Sequence, residues 1–181
     1  MDEETGSERH ILEAHLDANR ATVVGKASGL TWEQATRRLG PTATSIAGIV
    51  KHLIDVERWW FRRNLDAEDD VPFSWSDTEH DLEFELGPEE TLDSLLADYG
   101  RACDESRAVA ARYELTDQIR ASRDGEPRSS LRWVYVHMIE EVARHNGHLD
   151  IYRELIDGHR PRLTAASGYG RMEPCPRSST N

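Results

Sequence analysis

The sequence predicts an all-α protein built as a four-helix bundle, on three observations. Four segments carry apolar residues at three- and four-residue spacing, the period of a helix with one buried face. No segment shows the sustained apolar–polar alternation of a half-buried strand. Glycine- and proline-containing breakers separate the segments. With 181 residues, 38% hydrophobic and 31% charged, the chain is long enough for one such core and a tail.

The first segment runs from about Glu8 to Lys26, with Ile11, Leu12, His15, Leu16, Asn19 and Val23 on its inward side. Gly25, Ser28 and Gly29 interrupt it. LTWEQATRRLGPTATS then reads as a loop, because Gly40-Pro41 forbids helix continuation. The second helix is expected to start at Thr44 or Ser45, either of which can cap it. Ile46, Ile49, Val50, Leu53, Val56, Trp60 and Phe61 supply its period, and it should end near Asn64.

Residues 65–87 are acidic and contain Pro72 and Gly87. They read as a long ordered connection, and connections of that length commonly line a site. The third helix is expected to open at Gly87-Pro88-Glu89-Glu90, since proline and acids suit a first turn. Leu92, Leu95, Leu96, Tyr99, Cys103 and Val109 follow. Residues 114–128, with ASRDGEPR, break the chain again. The fourth helix spans about Ser130 to Asp157, with Gly158 as its C-terminal stop. Residues 1–163 therefore form the bundle, and 164–181 an extended or mobile tail. The long joint between helices two and three leaves room for a topology other than up-down-up-down.

Charge narrows the partners. Asp and Glu number 34 against 22 Lys and Arg, a formal net charge of −12. Such a chain is a poor polyanion binder, so neither nucleic acid nor an anionic membrane surface is expected. No apolar run approaches the roughly 20 residues of a bilayer span. The acidic start, MDEETGSER, has no apolar region, and a cytoplasmic location is expected. Cys103 and Cys175 show no C-x-x-C spacing and read as free thiols.

The fourth helix, LRWVYVHMIEEVARHNGHLDIYREL, carries the chemistry. Taking Glu141 as zero, His145 falls at about 40°, His148 at about −20° and His137 at about −40° around the helix. These four form one narrow stripe, flanked by Val134, Met138, Val142, Leu149 and Tyr152, so it faces the bundle interior. Burying several ionisable groups is costly unless something pairs with them, and a divalent cation would. Imidazole nitrogen and carboxylate oxygen suit zinc, nickel or iron, and i, i+4 spacing lets two ligands converge. The HExxH pattern of zinc proteases is absent, and a di-iron site would need Glu-x-x-His on two helices. A further ligand must come from another helix, and His52, in the middle of helix two, is the obvious donor. Taken alone, His52 reads equally as a satisfied core histidine.

SIAGIVKHLIDVERWWFRR followed by LRWVYVHMIEEVARHNGHLDIYRELIDG resembles the DinB-like superfamily of metal-binding four-helix bundles, over roughly residues 8–163. The nearest likeness is to the branch of small proteins beside mycothiol-dependent maleylpyruvate isomerase. The resemblance implies three metal ligands, at the positions of His52, Glu141 and His145. Many members carry histidine where this chain has Glu141, and glutamine where it has His148. His148 is accordingly a fourth ligand, a base or a substrate contact. The family includes transferases and isomerases that use mycothiol, bacillithiol or glutathione.

The expected function is thus a metal-dependent transferase or isomerase acting with a low-molecular-weight thiol such as mycothiol, with zinc the first expectation for the metal. His148 and Arg153 are the candidate catalytic residues. Arg153 would clamp a substrate carboxylate, unless it merely pairs with Glu154 or Asp150. Asp55 either orients His52 as a hydrogen-bond acceptor or pairs with Arg58, three residues on. Trp59 and Trp60 either floor a substrate pocket or join the core, and His15 faces the same core. Two other readings use the same residues: hydrolysis by an activated water, and a non-catalytic metal-binding or stress-associated bundle that works as a homodimer.

Overall fold

A computed structural model describes residues 6–39, 44–75, 82, 84–120 and 129–158. The tail from 164, His80, His159, Cys175 and the Gly40-Pro41 breaker lie outside the described residues.

Helix α1 spans Glu8–Ala27, and the Ser7 side chain caps it by accepting the His10 N–H. Its buried face is Leu16, Arg20, Val23 and Ala27, rotated from the expected one, and His15 is exposed. The rotation has a cause that apolar periodicity does not report. Arg20 turns inward to make two hydrogen bonds with the fully buried Glu57 carboxylate, at 2.7 and 2.6 Å.

The stretch expected as a loop contains a short helix, α2, Trp32–Thr36. Thr31 and Gln34 cap one another's backbone N–H groups there, a reciprocal box readable as T-x-x-Q. Helix α3 spans Ile46–Glu57 with Ser45 as N-cap, and a π-helical stretch, Arg58–Leu65, continues it. The Asn64 side chain secures the wider turn by donating to the Trp59 carbonyl at 2.7 Å.

Helix α4 spans Leu92–Ala110 and begins later than the sequence suggests. Thr91 is its N-cap, in a capping box with Ser94. Pro88 and Glu89 form a separate turn before it, closed by the Glu90 carboxylate accepting the Gly87 N–H at 2.6 Å. Helix α5 spans Leu131–Asp157, capped by Ser130 and stopped by Gly158, whose φ of 72° is the left-handed conformation glycine favours. Among the described residues there is no strand, only an isolated bridge between Gln118 and Ser130.

α1 packs chiefly on α5, and α3 with its π-helical extension chiefly on α4. Cross-helix contacts give the directions. Glu8 meets Arg132 and Lys26 meets Asp150, so α1 and α5 are parallel. Lys51 meets Glu90 and Glu57 meets Cys103, so α3 and α4 are parallel. His52 meets Glu141 while Trp60 meets Trp133, so α3 and α5 are antiparallel. The bundle is therefore up-down-down-up. Parallel neighbours need a connection as long as a helix, which is why the α3–α4 joint is long.

Candidate metal centre

That joint folds back along α3. Ser74 donates its backbone N–H to Asp55 Oδ2 at 2.9 Å. Farther along, the Phe84 ring stacks on His52, with centroids 4.8 Å apart and planes 20° apart. Gly48 makes this approach possible. A Cβ there would stand 2.9 Å from the Phe84 carbonyl oxygen, a separation real side chains do not tolerate. A connection anchored at Asp55 and Gly48 thus walls one side of the α3–α5 seam.

The seam holds three converging groups. His52 lies on α3; Glu141 and His145 lie one turn apart on α5. Their donor atoms are all within 4.8 Å of one another. Both rings turn Nε2 toward the same carboxylate oxygen, Glu141 Oε1, at 3.4 Å for His52 and 3.1 Å for His145. The two histidines are buried and Glu141 partly so. Hydrogen bonds from His145 and His52 hold the Glu141 carboxyl well below the usual carboxylate range, against the opposing effect of burial.

This donor set fits a divalent cation: two imidazole nitrogens and a carboxylate oxygen, aimed at one point. His145 Nδ1 is also buried with no hydrogen-bond partner.

A family profile described as mycothiol-S-transferase matches residues 11–158. The chain belongs to the mycothiol-S-transferase family. In fold it is similar to a conserved protein of Enterococcus faecalis seen in a crystal structure, with a TM-score of 0.66 over 86% of this chain and 100% of that one. The two are 15% identical, so this likeness speaks for the all-α fold alone. No curated protein sequence matches the chain.

In this mycothiol-S-transferase relative the other predicted site residues are placed as follows. His148 is exposed, its ring edge-on to His145 with centroids 5.5 Å apart, and it stands outside the group of three. His137 is a turn away on the same stripe, stacked on Trp133. Arg153 is engaged elsewhere. Its guanidinium donates to the Lys26 and Ser28 carbonyls at 2.7 and 3.0 Å and pairs with Asp157, closing the end of α1 onto α5. Asp150 pairs with Lys26. Asp55 is almost wholly buried, and burial pushes its carboxyl pKa up.

Sequence reasoning missed two contributors to the site. Phe84 sits in a stretch without periodicity, where nothing marked it. Gly48 is a helix-interior glycine, the kind of residue that signals a close backbone approach, and that signal was available. The buried thiol of Cys103 takes no part in the site. Burial, reinforced by Glu57, pushes its pKa up to about 12, which makes it inert as a nucleophile.

Proposed function

We propose that this protein is a metal-dependent S-transferase that joins a small thiol of the mycothiol class to an electrophilic substrate. His52, Glu141 and His145 hold the ion, and zinc is the metal we assign. The observation that carries this reading is the convergence of those three donors from α3 and α5 in a chain of the mycothiol-S-transferase family. A divalent ion bound there supplies Lewis acidity, which lowers the pKa of a thiol beside it.

The chain's own residues supply the rest. The Glu141 carboxylate, ionised throughout the physiological range, keeps both imidazole rings turned to one point. Phe84 stacks on His52 and keeps water from that face of the ring, and Ser74 ties the same connection to Asp55 on α3. His148, at the solvent edge of the stripe, is the group we assign to accept the thiol proton and pass it to water. Arg153 has no part in this reading, because its guanidinium is engaged in closing α1 onto α5. Reduced small thiols belong to the cytoplasm, where the reaction is expected to run.

Metal content by elemental mass spectrometry tests the proposal, on wild type and His52→Ala side by side. The expected result is near-stoichiometric metal in wild type and none in the variant, together with mycothiol binding by calorimetry only to the loaded protein. Full metal retention in His52→Ala, or no thiol binding by loaded wild type, overturns it.

A further inference from the structure

None of the chain's five tryptophans lies in the buried core. Two of them, Trp60 and Trp133, meet across the α3–α5 seam that holds the metal centre. The π-helical stretch gives its consecutive tryptophans different partners. Trp59 packs edge-on against Phe73 and Trp75 of the connection, at 5.7 and 5.2 Å between centroids. Trp60 tilts against Trp133 and His137 of α5, at 5.2 and 4.6 Å. Trp133 and His137 are themselves stacked, centroids 5.0 Å apart and planes within 5°.

Trp133, His137 and Glu141 follow one another at four-residue intervals along α5. The stacked pair therefore begins about 6 Å along the axis from the triad. With one face against His137, Trp133 still exposes 45% of its surface, a large apolar area to leave in water. The patch is small. Among the described residues Val136 is the other exposed large apolar residue of this part of α5, and the exposed Glu140–Arg144 ion pair separates both from Ile151 and Leu155 farther along the helix. Two exposed apolar residues match one flat ring system and are far fewer than the roughly 20–30 residues a side of a stable protein interface.

We infer that Trp133, backed by His137 and edged by Trp60, is the seat for a planar aromatic ring carried by the electrophilic substrate. As a statement about that substrate the inference rests on the proposed S-transfer, but ring binding at this place stands apart from the metal. The seat determines specificity by shape: a flat ring stacks on the indole face, whereas a puckered saturated ring of equal size does not.

The test uses the full chain and 2-naphthol, with its saturated counterpart decahydro-2-naphthol as control. Affinity is read by equilibrium dialysis and by quenching of tryptophan fluorescence, in metal-loaded and chelator-treated protein. Binding of 2-naphthol is expected in both preparations, at least about tenfold tighter than the saturated alcohol. Trp133→Ala should lose about tenfold or more, the scale of one lost stacking partner, while Trp133→Phe stays near wild type. Trp32→Ala, on α2, should change nothing.

Equal binding of the flat and saturated alcohols overturns the inference, as does unchanged affinity in Trp133→Ala. So does a dimer in sedimentation equilibrium that Trp133→Ala converts to monomer, since a second copy would then cover the ring. Ring binding with no metal retained in any preparation overturns the proposed function and leaves the aromatic seat in place.

Discussion

The residue that ties the centre together is Glu141. One of its oxygens receives both imidazoles, and these contacts depress its pKa below the 4.5 of an ordinary glutamate. A depressed carboxylate contributes stability that is fully present above its unfolded pKa and is lost as pH falls toward the folded value. In metal-stripped protein, the stability gap between wild type and Glu141→Gln should therefore be widest above about pH 5 and narrow steadily as pH falls below about 4. Urea melts of both proteins across that range measure it, and a gap independent of pH would mean that the carboxylate is not clasped. Asp55, three residues after His52 on α3, shows the opposite sign. Burial raises its carboxyl pKa, so ionising it costs stability as pH rises.

At the scale of elements, two contacts decide how helices and connection meet. The first is Gly48 against Phe84. Gly48→Ala should push the connection off α3 and loosen the ring that covers His52, while α3 itself gains helix propensity. The expected outcome is weaker metal affinity, by about tenfold, the scale seen when the groups that support a metal ligand are disturbed. Competition with a chromogenic chelator measures it, and unchanged affinity would show that Phe84 does not support His52. The second contact is Arg20 with Glu57, which joins α1 to α3 at the start of the π-helical stretch. Removing one partner of a buried pair leaves the other uncompensated. Glu57→Gln should therefore cost about 3–5 kcal/mol, measured by denaturant unfolding. Replacing both residues by apolar ones of similar volume should cost much less, and an equal cost would assign the loss to packing.

At the scale of the whole molecule, the triad bridges two helices that lie far apart in the chain. An ion held there binds the folded state and not the unfolded one, so it stabilises the bundle by mass action, about 2.7 kcal/mol at a hundred times its dissociation constant. Thermal melts should rise with added zinc in wild type and fall on chelation, and the shift should vanish in His52→Ala. A shift that persists in that variant would place the ion elsewhere. The up-down-down-up order serves the same site, because it makes α3 and α5 antiparallel neighbours and sends the long connection back past His52. None of the helices among the described residues is long and apolar enough to cross a membrane.

The sequence by itself determined the helices with strong periods and clear ends. α5 runs from its Ser130 cap to Gly158 as expected, because capping and the left-handed stop are local chemistry. It also determined the stripe of Glu141 and His145, since positions four apart on one helix must share a face. Only the tertiary structure decided the rest. It brought His52 to that stripe, kept His148 at the solvent edge and drew Arg153 to the end of α1. It also turned Arg20 inward, against any hydrophobic pattern, because Glu57 waits there. Trp59 and Trp60 belong to the same class. Their period fits a core, yet a π-helical turn and a returning connection set Trp59 against the connection and Trp60 against α5. The physical reason is common to all of these. Helix ends and faces are fixed by interactions within a few residues, whereas pairing, burial and ring contact depend on residues that only the packed bundle brings within reach.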